Sequence, residues 1–230
     1  MYRIIEIFES IQGEGLFTGV PCVFIRFFGC NLKCSKCDTS YSYSRKTNYQ
    51  ELSFANILKA LSNFNTKHLV ITGGEPLIQP GVEDFLMRLV DLGYFITIET
   101  NGTIYPKLKQ DDIGSVFWSI SPKLKCMIKD GIKIGVLRRF LERDIFGQLK
   151  FVVDVRSLRE VKTILLKLGH NFHCPVILQP KADLLDNTHC LLQKQRNLIE
   201  YVLKDDVLKR YDIRVLPQMH KLLWGNKRLV

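Results

Sequence analysis

The feature that most limits the fold is an alternation. Eight short runs rich in Val, Ile, Phe and Tyr recur along the 230 residues, with helix-periodic stretches between them. Strands are predicted over 3–8, 22–28, 68–72, 94–100, 116–120, 149–154, 176–179 and 213–216. Helices are predicted over 53–63, 81–92, 158–168 and 188–204, and Ser157 with Glu160 has the spacing of a capping box for the third of them. Between Lys125 and Phe146 the pattern is weak and no helix is assigned. Alternating strands and helices make βα units and a mostly parallel sheet. A full eight-unit barrel takes about 250 residues, so the expected α/β architecture is an open or incomplete (β/α) barrel. No repeat or long linker divides the chain, and residues 1–230 are expected to form one domain.

In such a fold the places where strands end matter most. Cys30 follows the second strand, Gly73-Gly74-Glu75-Pro76 the third, Asn101-Gly102 the fourth, Ser121-Pro122-Lys123 the fifth, and Gln179-Pro180 closes the seventh. A parallel barrel puts all these points on one rim, where such folds bind ligands. Five separate segments are therefore expected to converge on one site.

Composition narrows the class. Apolar residues are 46% and charged residues 24%, which excludes disordered and low-complexity chains. No run of about 18 apolar residues offers a membrane span. The start Met1-Tyr2-Arg3-Ile4-Ile5-Glu6 lacks the apolar core of a signal peptide, so a soluble, cytoplasmic protein is expected. The net charge of +10 favours polyanion binding, but the basic residues are scattered into short pairs such as Arg138-Arg139 and Lys227-Arg228. A basic enzyme surface explains that distribution better than a dedicated nucleic-acid module does.

Seven cysteines, an odd number, argue against a disulfide framework. Cys30, Cys34 and Cys37 fall within eight residues, whereas Cys22, Cys126, Cys174 and Cys190 are dispersed. Three thiolates at spacings of four and three suit an iron–sulfur cubane with one iron open to another ligand. Zinc wants a fourth protein ligand; His68 or His220 is available, so zinc stays open on the residues alone.

A CxxxCxxC loop after an early strand, followed by Gly73-Gly74-Glu75-Pro76, resembles the radical S-adenosylmethionine (SAM) superfamily. Finer likeness lies in Glu9-Ser10-Ile11-Gln12-Gly13-Glu14-Gly15, Cys37-Asp38-Thr39, Glu99-Thr100-Asn101-Gly102, Ser121-Pro122-Lys123 and Trp224-Gly225-Asn226-Lys227-Arg228. Together these resemble the 7-carboxy-7-deazaguanine synthase family, which converts 6-carboxy-5,6,7,8-tetrahydropterin into 7-carboxy-7-deazaguanine with loss of ammonia.

The resemblance implies an incomplete barrel of the radical SAM type and a [4Fe-4S] cluster on Cys30, Cys34 and Cys37. It implies SAM contacts from Lys36, Cys37, Asp38, Gly74, Glu75, Ser121, Pro122, Lys123, Gln179, Pro180, Lys181 and Ala182. Glu75 is expected to accept from the SAM ammonium. Lys36 departs from the superfamily, which usually has an aromatic residue there near the adenine. The resemblance further implies pterin contacts from Ile11, Gln12, Gly13, Arg26, Thr72 and Val230, and Mg²⁺ on Thr39. A guanidinium suits the pterin carboxylate, since it grips such groups bidentately, and a hard cation suits an oxygen donor. A low-potential electron donor such as flavodoxin or ferredoxin and a homodimer are implied as well. The implied chemistry begins with one electron to the cluster and a 5′-deoxyadenosyl radical, which takes hydrogen from the pterin C6 before ring contraction. Two other readings are an activating enzyme acting on a glycine of a partner protein, and a zinc-bearing nucleic-acid binder.

Overall fold

The structure is a computed structural model that describes residues 1–35, 37–128, 132–142, 145–183 and 185–229. Among the described residues nine strands form one sheet: β1 (Tyr2–Ile11), β2 (Pro21–Phe27), β3 (Gln50–Leu52), β4 (His68–Gly73), β5 (Phe95–Thr100), β6 (Phe117–Ile120), β7 (Gly147–Val153), β8 (Val176–Pro180) and β9 (Ile213–Val215). Their order is β3-β1-β2-β4-β5-β6-β7-β8-β9. From β2 to β9 every neighbour is parallel, whereas β1 runs antiparallel to both β2 and β3. The open, largely parallel sheet expected from the alternation is what forms, with an antiparallel edge added by the first strand.

Seven α-helices connect these strands: α1 (Phe54–Leu61), α2 (Val82–Asp91), α3 (Gln110–Ile113), α4 (Ile134–Leu141), α5 (Leu158–Leu168), α6 (Thr188–Lys204) and α7 (Met219–Trp224), counted among the described residues. Ser53 caps α1 by accepting from the Asn56 amide, and Asn187 caps α6 by accepting from the Cys190 amide. The predicted box at α5 does not form. Asp154 accepts from the Ser157 amide and the Ser157 hydroxyl accepts from the Asp154 amide, so the box caps a 3-10 turn that precedes α5. Glu160 instead accepts from the Lys125 amide at 3.0 Å. The weak stretch contains α4, which the periodicity missed: it has only two turns, and buries Leu137, Phe140 and Leu141.

The pleat sorts the sheet into two faces. Ile25, Phe27, Leu69, Ile71, Ile98, Trp118, Ile120, Leu149, Phe151 and Leu178 join residues of α1, α2, α4, α5 and α6 in one apolar core. The alternate positions Arg26, Thr72, Glu99, Ser119, Lys150 and Gln179 point the other way, onto the concave face. At the amino ends of the strands that face is filled by Phe17, whose ring meets His68 at 5.4 Å, Phe95 at 5.3 Å and Phe117 at 4.6 Å, each edge-on. At the carboxyl ends it is polar.

Candidate functional site

The cysteine loop is built onto the rim by backbone contacts. Glu75 donates its amide to the Gly29 carbonyl at 2.9 Å, Gly29 donates to Ser42 at 2.7 Å, and Ser35 donates to Met127 at 3.0 Å. Gly74 allows this approach: a Cβ there would lie 2.2 Å from the Gly29 carbonyl oxygen and 2.6 Å from Cys30 Cβ. Cys30, Cys34 and Cys37 are all partly buried and free. Burial pushes the Cys30 thiol up to about 11, with Glu75, Cys34 and Cys37 adding to the rise against the Leu32 amide bond. Burial also raises Cys34, while Lys123 pulls it down. Three thiols within electrostatic reach of one another beside a lysine suit a cluster that stabilises thiolates. Among the described residues no three His, Cys, Asp or Glu side chains close on a single-ion site.

Neither histidine offered to zinc joins the thiols. His68 opens β4 at the far end of the sheet, bonded to Thr97 Oγ1 at 2.8 Å. His220 lies against Gly13, where a Cβ would fall 2.1 Å from its Nδ1.

Glu75, expected at the SAM ammonium, is held firmly within the rim. Its carboxylate is 0% exposed and turned inward, accepting from the Leu77 amide at 3.1 Å, Thr100 Oγ1 at 2.8 Å and the Asn101 amide at 2.7 Å. These donors tie β4 to β5. Burial pushes the carboxyl up, and the same bonds oppose it. Asn101 continues the brace by donating to Asn31 Oδ1 at 2.9 Å, inside the cysteine loop. Asn31 in turn donates to Thr103 Oγ1 at 2.8 Å.

Ser121, Pro122 and Lys123 follow β6 on the same rim. Ser121 donates its amide to the Thr100 carbonyl at 2.7 Å, and Lys123 Nζ donates to Ser121 Oγ at 3.0 Å. Gln179 is fully buried; its amide nitrogen donates to Glu14 at 3.2 Å, and its Oε1 has no partner. A buried acceptor left open at the rim suits a donor group on a ligand. Pro180 ends β8 buried, with Lys181 and Ala182 partly exposed beyond it. Asp38 is exposed, yet its charge reaches Lys150 and His220. Thr39 does not cap the turn it precedes; its hydroxyl lies 3.7 Å from Cys37 Sγ. Lys36 and Val230 lie outside the described residues.

The concave face brings the remaining candidates together. Ile11 ends β1. Gln12 Nε2 donates to Glu99 Oε1 at 3.3 Å, and Thr72 Oγ1 donates to Glu99 Oε2 at 2.8 Å. Arg26 is bound to Glu6, Nε to Oε1 at 2.5 Å. Four residues here were not singled out as site residues from sequence: Glu14, Glu99, Lys150 and Gln148. Lys150 and Glu14 form a buried ion pair. Burial is the largest influence and opposes both charges, but the partner's charge together with neighbouring charges and hydrogen bonds outweighs it, holding Glu14 far below and Lys150 above their ordinary ranges. Gln218 adds a bond to Glu14 at 2.6 Å, and Gln148 accepts from the Leu16 amide at 2.8 Å. Ionisable residues in otherwise apolar strands, Glu99 in Phe95–Thr100 and Lys150 in Gly147–Val153, were the available signal.

An open parallel sheet with a three-cysteine loop and a glycine cradle on its carboxyl rim defines a radical SAM enzyme, and residues 24–112 match the model of the Radical SAM superfamily. Over nearly its whole length the chain is 34% identical to 7-carboxy-7-deazaguanine synthase of Aquifex aeolicus (94% of this chain, 90% of that one). It is 32% identical to the synthase of Halobacterium salinarum (96% and 90%). The crystal structure of QueE from Escherichia coli superposes with a TM-score of 0.70 at 25% identity, covering 93% of each chain. The chain belongs to the 7-carboxy-7-deazaguanine synthase family. Neither the glycine-activating nor the zinc-based reading is favoured by these likenesses.

Proposed function

We propose that this chain converts 6-carboxy-5,6,7,8-tetrahydropterin into 7-carboxy-7-deazaguanine with release of ammonia, as a carbon–nitrogen lyase of queuosine and deazapurine biosynthesis. The observation that carries this reading is the bonding of the Gln12-Gly13-Glu14 segment to Glu99 of β5 and Gln179 of β8, strands of the same parallel sheet whose β2 leads into the cysteine loop. Bound together, a [4Fe-4S] cluster and SAM supply a radical able to take the hydrogen from the pterin C6.

The protein's part is positioning. Cys30, Cys34 and Cys37 hold the cluster. The Gly74 backbone, Ser121 to Lys123, the open Gln179 Oε1 with Pro180 to Ala182, and Lys36 to Asp38 surround SAM. Glu75 accepts from the SAM ammonium, its carboxylate held in place by the rim bonds. Gln12, Thr72 and Glu99 form one hydrogen-bonded set suited to the donor and acceptor edge of a pterin, flanked by Ile11 and Gly13. Arg26 takes the substrate carboxylate, and the family likeness extends a substrate role to Val230. Thr39 offers an oxygen to Mg²⁺, which shares its shell with substrate and water. A flavodoxin- or ferredoxin-type donor supplies the electron. We place the enzyme in the cytoplasm, as a homodimer of single-domain subunits; among the described residues no helix is long and apolar enough to cross a membrane.

The test is anaerobic turnover of reconstituted protein with SAM, Mg²⁺, a low-potential reductant and the pterin. Mass spectrometry should show 7-carboxy-7-deazaguanine, and Cys34→Ala should abolish it. SAM cleavage with intact pterin would overturn the substrate assignment.

A further inference from the structure

The sheet has two free edges, β3 and β9, and the chain beyond β9 returns toward the first of them. Met219 donates its amide to the Gly13 carbonyl at 2.8 Å, and Gln218 bonds to Glu14 at 2.6 Å. Farther along, Arg228 reaches Glu6 of β1: its Nη2 donates to Oε2 at 2.8 Å, and its guanidinium sits 3.9 Å from the Tyr41 ring centre. The residues from Leu223 to Leu229 are exposed, so little apolar burial holds this tail. Among the described residues, the Arg228 contacts are what tie this end to β1.

Glu6 is shared. Its Oε1 accepts from Arg26 Nε at 2.5 Å and from the Tyr41 hydroxyl at 3.1 Å, while Oε2 takes Arg228. One carboxylate thus sits between the tail's guanidinium and that of Arg26. Burial alone would raise the Glu6 carboxyl, but the two arginines hold it below its ordinary value, so it stays charged. The bond to Arg26 uses Nε, the side of the guanidinium that leaves a terminal nitrogen free to face an incoming anion.

We propose that Arg228 is a positioning residue: docked on Glu6 and Tyr41, it closes the tail across the gap between the sheet edges and fixes Arg26 to receive a substrate carboxylate. The identity of that carboxylate rests on the pterin reading above; the latch rests on the contacts alone. Arg228 touches no reacting atom. A mostly exposed tail end whose described link to β1 is one ion pair and one ring face opens at small cost, as an entry gate requires. Closing it restores the geometry of Arg26 through a shared oxygen pair rather than through a conformational relay.

The experiment uses reconstituted holoenzyme carrying Arg228→Gln, Arg228→Lys, Glu6→Gln or the Arg228→Gln/Glu6→Gln pair. Hydrogen–deuterium exchange of residues 219–229 should quicken in Arg228→Gln. Its KM for the pterin should rise about tenfold while kcat falls less than about threefold. The KM for SAM should hold. Arg228→Lys should lie between, since it keeps the charge and loses the flat stacking group. The double variant should be no worse than Glu6→Gln alone, because both changes cut one path. Unchanged tail exchange in Arg228→Gln overturns the latch, and quickened exchange with an unchanged pterin KM overturns the link to Arg26. If wild type cleaves SAM but leaves the pterin intact, the functional reading fails. Oxidised pterin-6-carboxylate then serves as probe: it must slow tail exchange in wild type and not in Arg228→Gln, or the proposal falls too.

Discussion

His68 stands at the amino end of β4 with its ring edge-on to Phe17 and Phe95 and one nitrogen on Thr97. Burial lowers it to about 4, whereas in an unfolded chain a histidine titrates near ~6.5. Its neutral form is therefore part of the fold. Above ~6.5 neither state carries the proton; as pH falls from there toward about 4 the unfolded chain binds it first, and stability is lost. Urea midpoints should drop between pH 7 and pH 5, and the drop should shrink in His68→Phe, which keeps the aromatic packing. Equal drops in both proteins would mean the ring plays no part. At this scale the sequence was a partial guide. The cysteines and Gly74 lie past the ends of β2 and β4, and Gln12 past the end of β1, as the strand ends outlined. Glu75 shows the limit: its motif marks the position, but the partners from β5 that hold its carboxylate are named by no local pattern.

Between β7 and α5, a 3-10 turn carries the cap that sequence spacing had assigned to the helix itself. Asp154 sits in that turn; burial tends to raise its carboxyl, and the bonds from Ser157 more than offset this. Asp154→Ala should cost about 1 kcal/mol in chemical denaturation, whereas Glu160→Ala should leave the helix start intact. A larger loss from Glu160→Ala would reinstate the original spacing. The strands were legible because seven parallel neighbours bury one face each, which forces β-branched runs of regular length. α4 was not. Its Phe140 packs on Trp118 at 5.5 Å and Tyr105 at 4.9 Å, so tertiary contacts with β6 and the preceding loop fix a helix whose own sequence is too short to declare it.

Across the whole molecule, Glu14 joins parts far apart in the chain: Lys150 of β7, Gln179 of β8 and Gln218 of the tail all bond to it. Removing its charge takes the ion-pair partner from buried Lys150 and leaves it only the charges of Glu99 and Asp38. Glu14→Gln should therefore destabilise the protein by about 3 kcal/mol or more, read from urea denaturation at pH 7. Lys150→Met added to it should recover much of the loss, since the stranded charge goes. If the double variant is as unstable as the single, the pair is not what holds these parts together. Such long-range convergence is what the sequence could only outline: rim positions were predictable from strand ends, but the partners were not.

Phe17 gives the concave face a floor, packed against His68, Phe95 and Phe117. One ring thus acts as a keystone for three strands: β4, β5 and β6 all lean on it, and a small residue in its place would loosen their spacing without touching any residue of the rim.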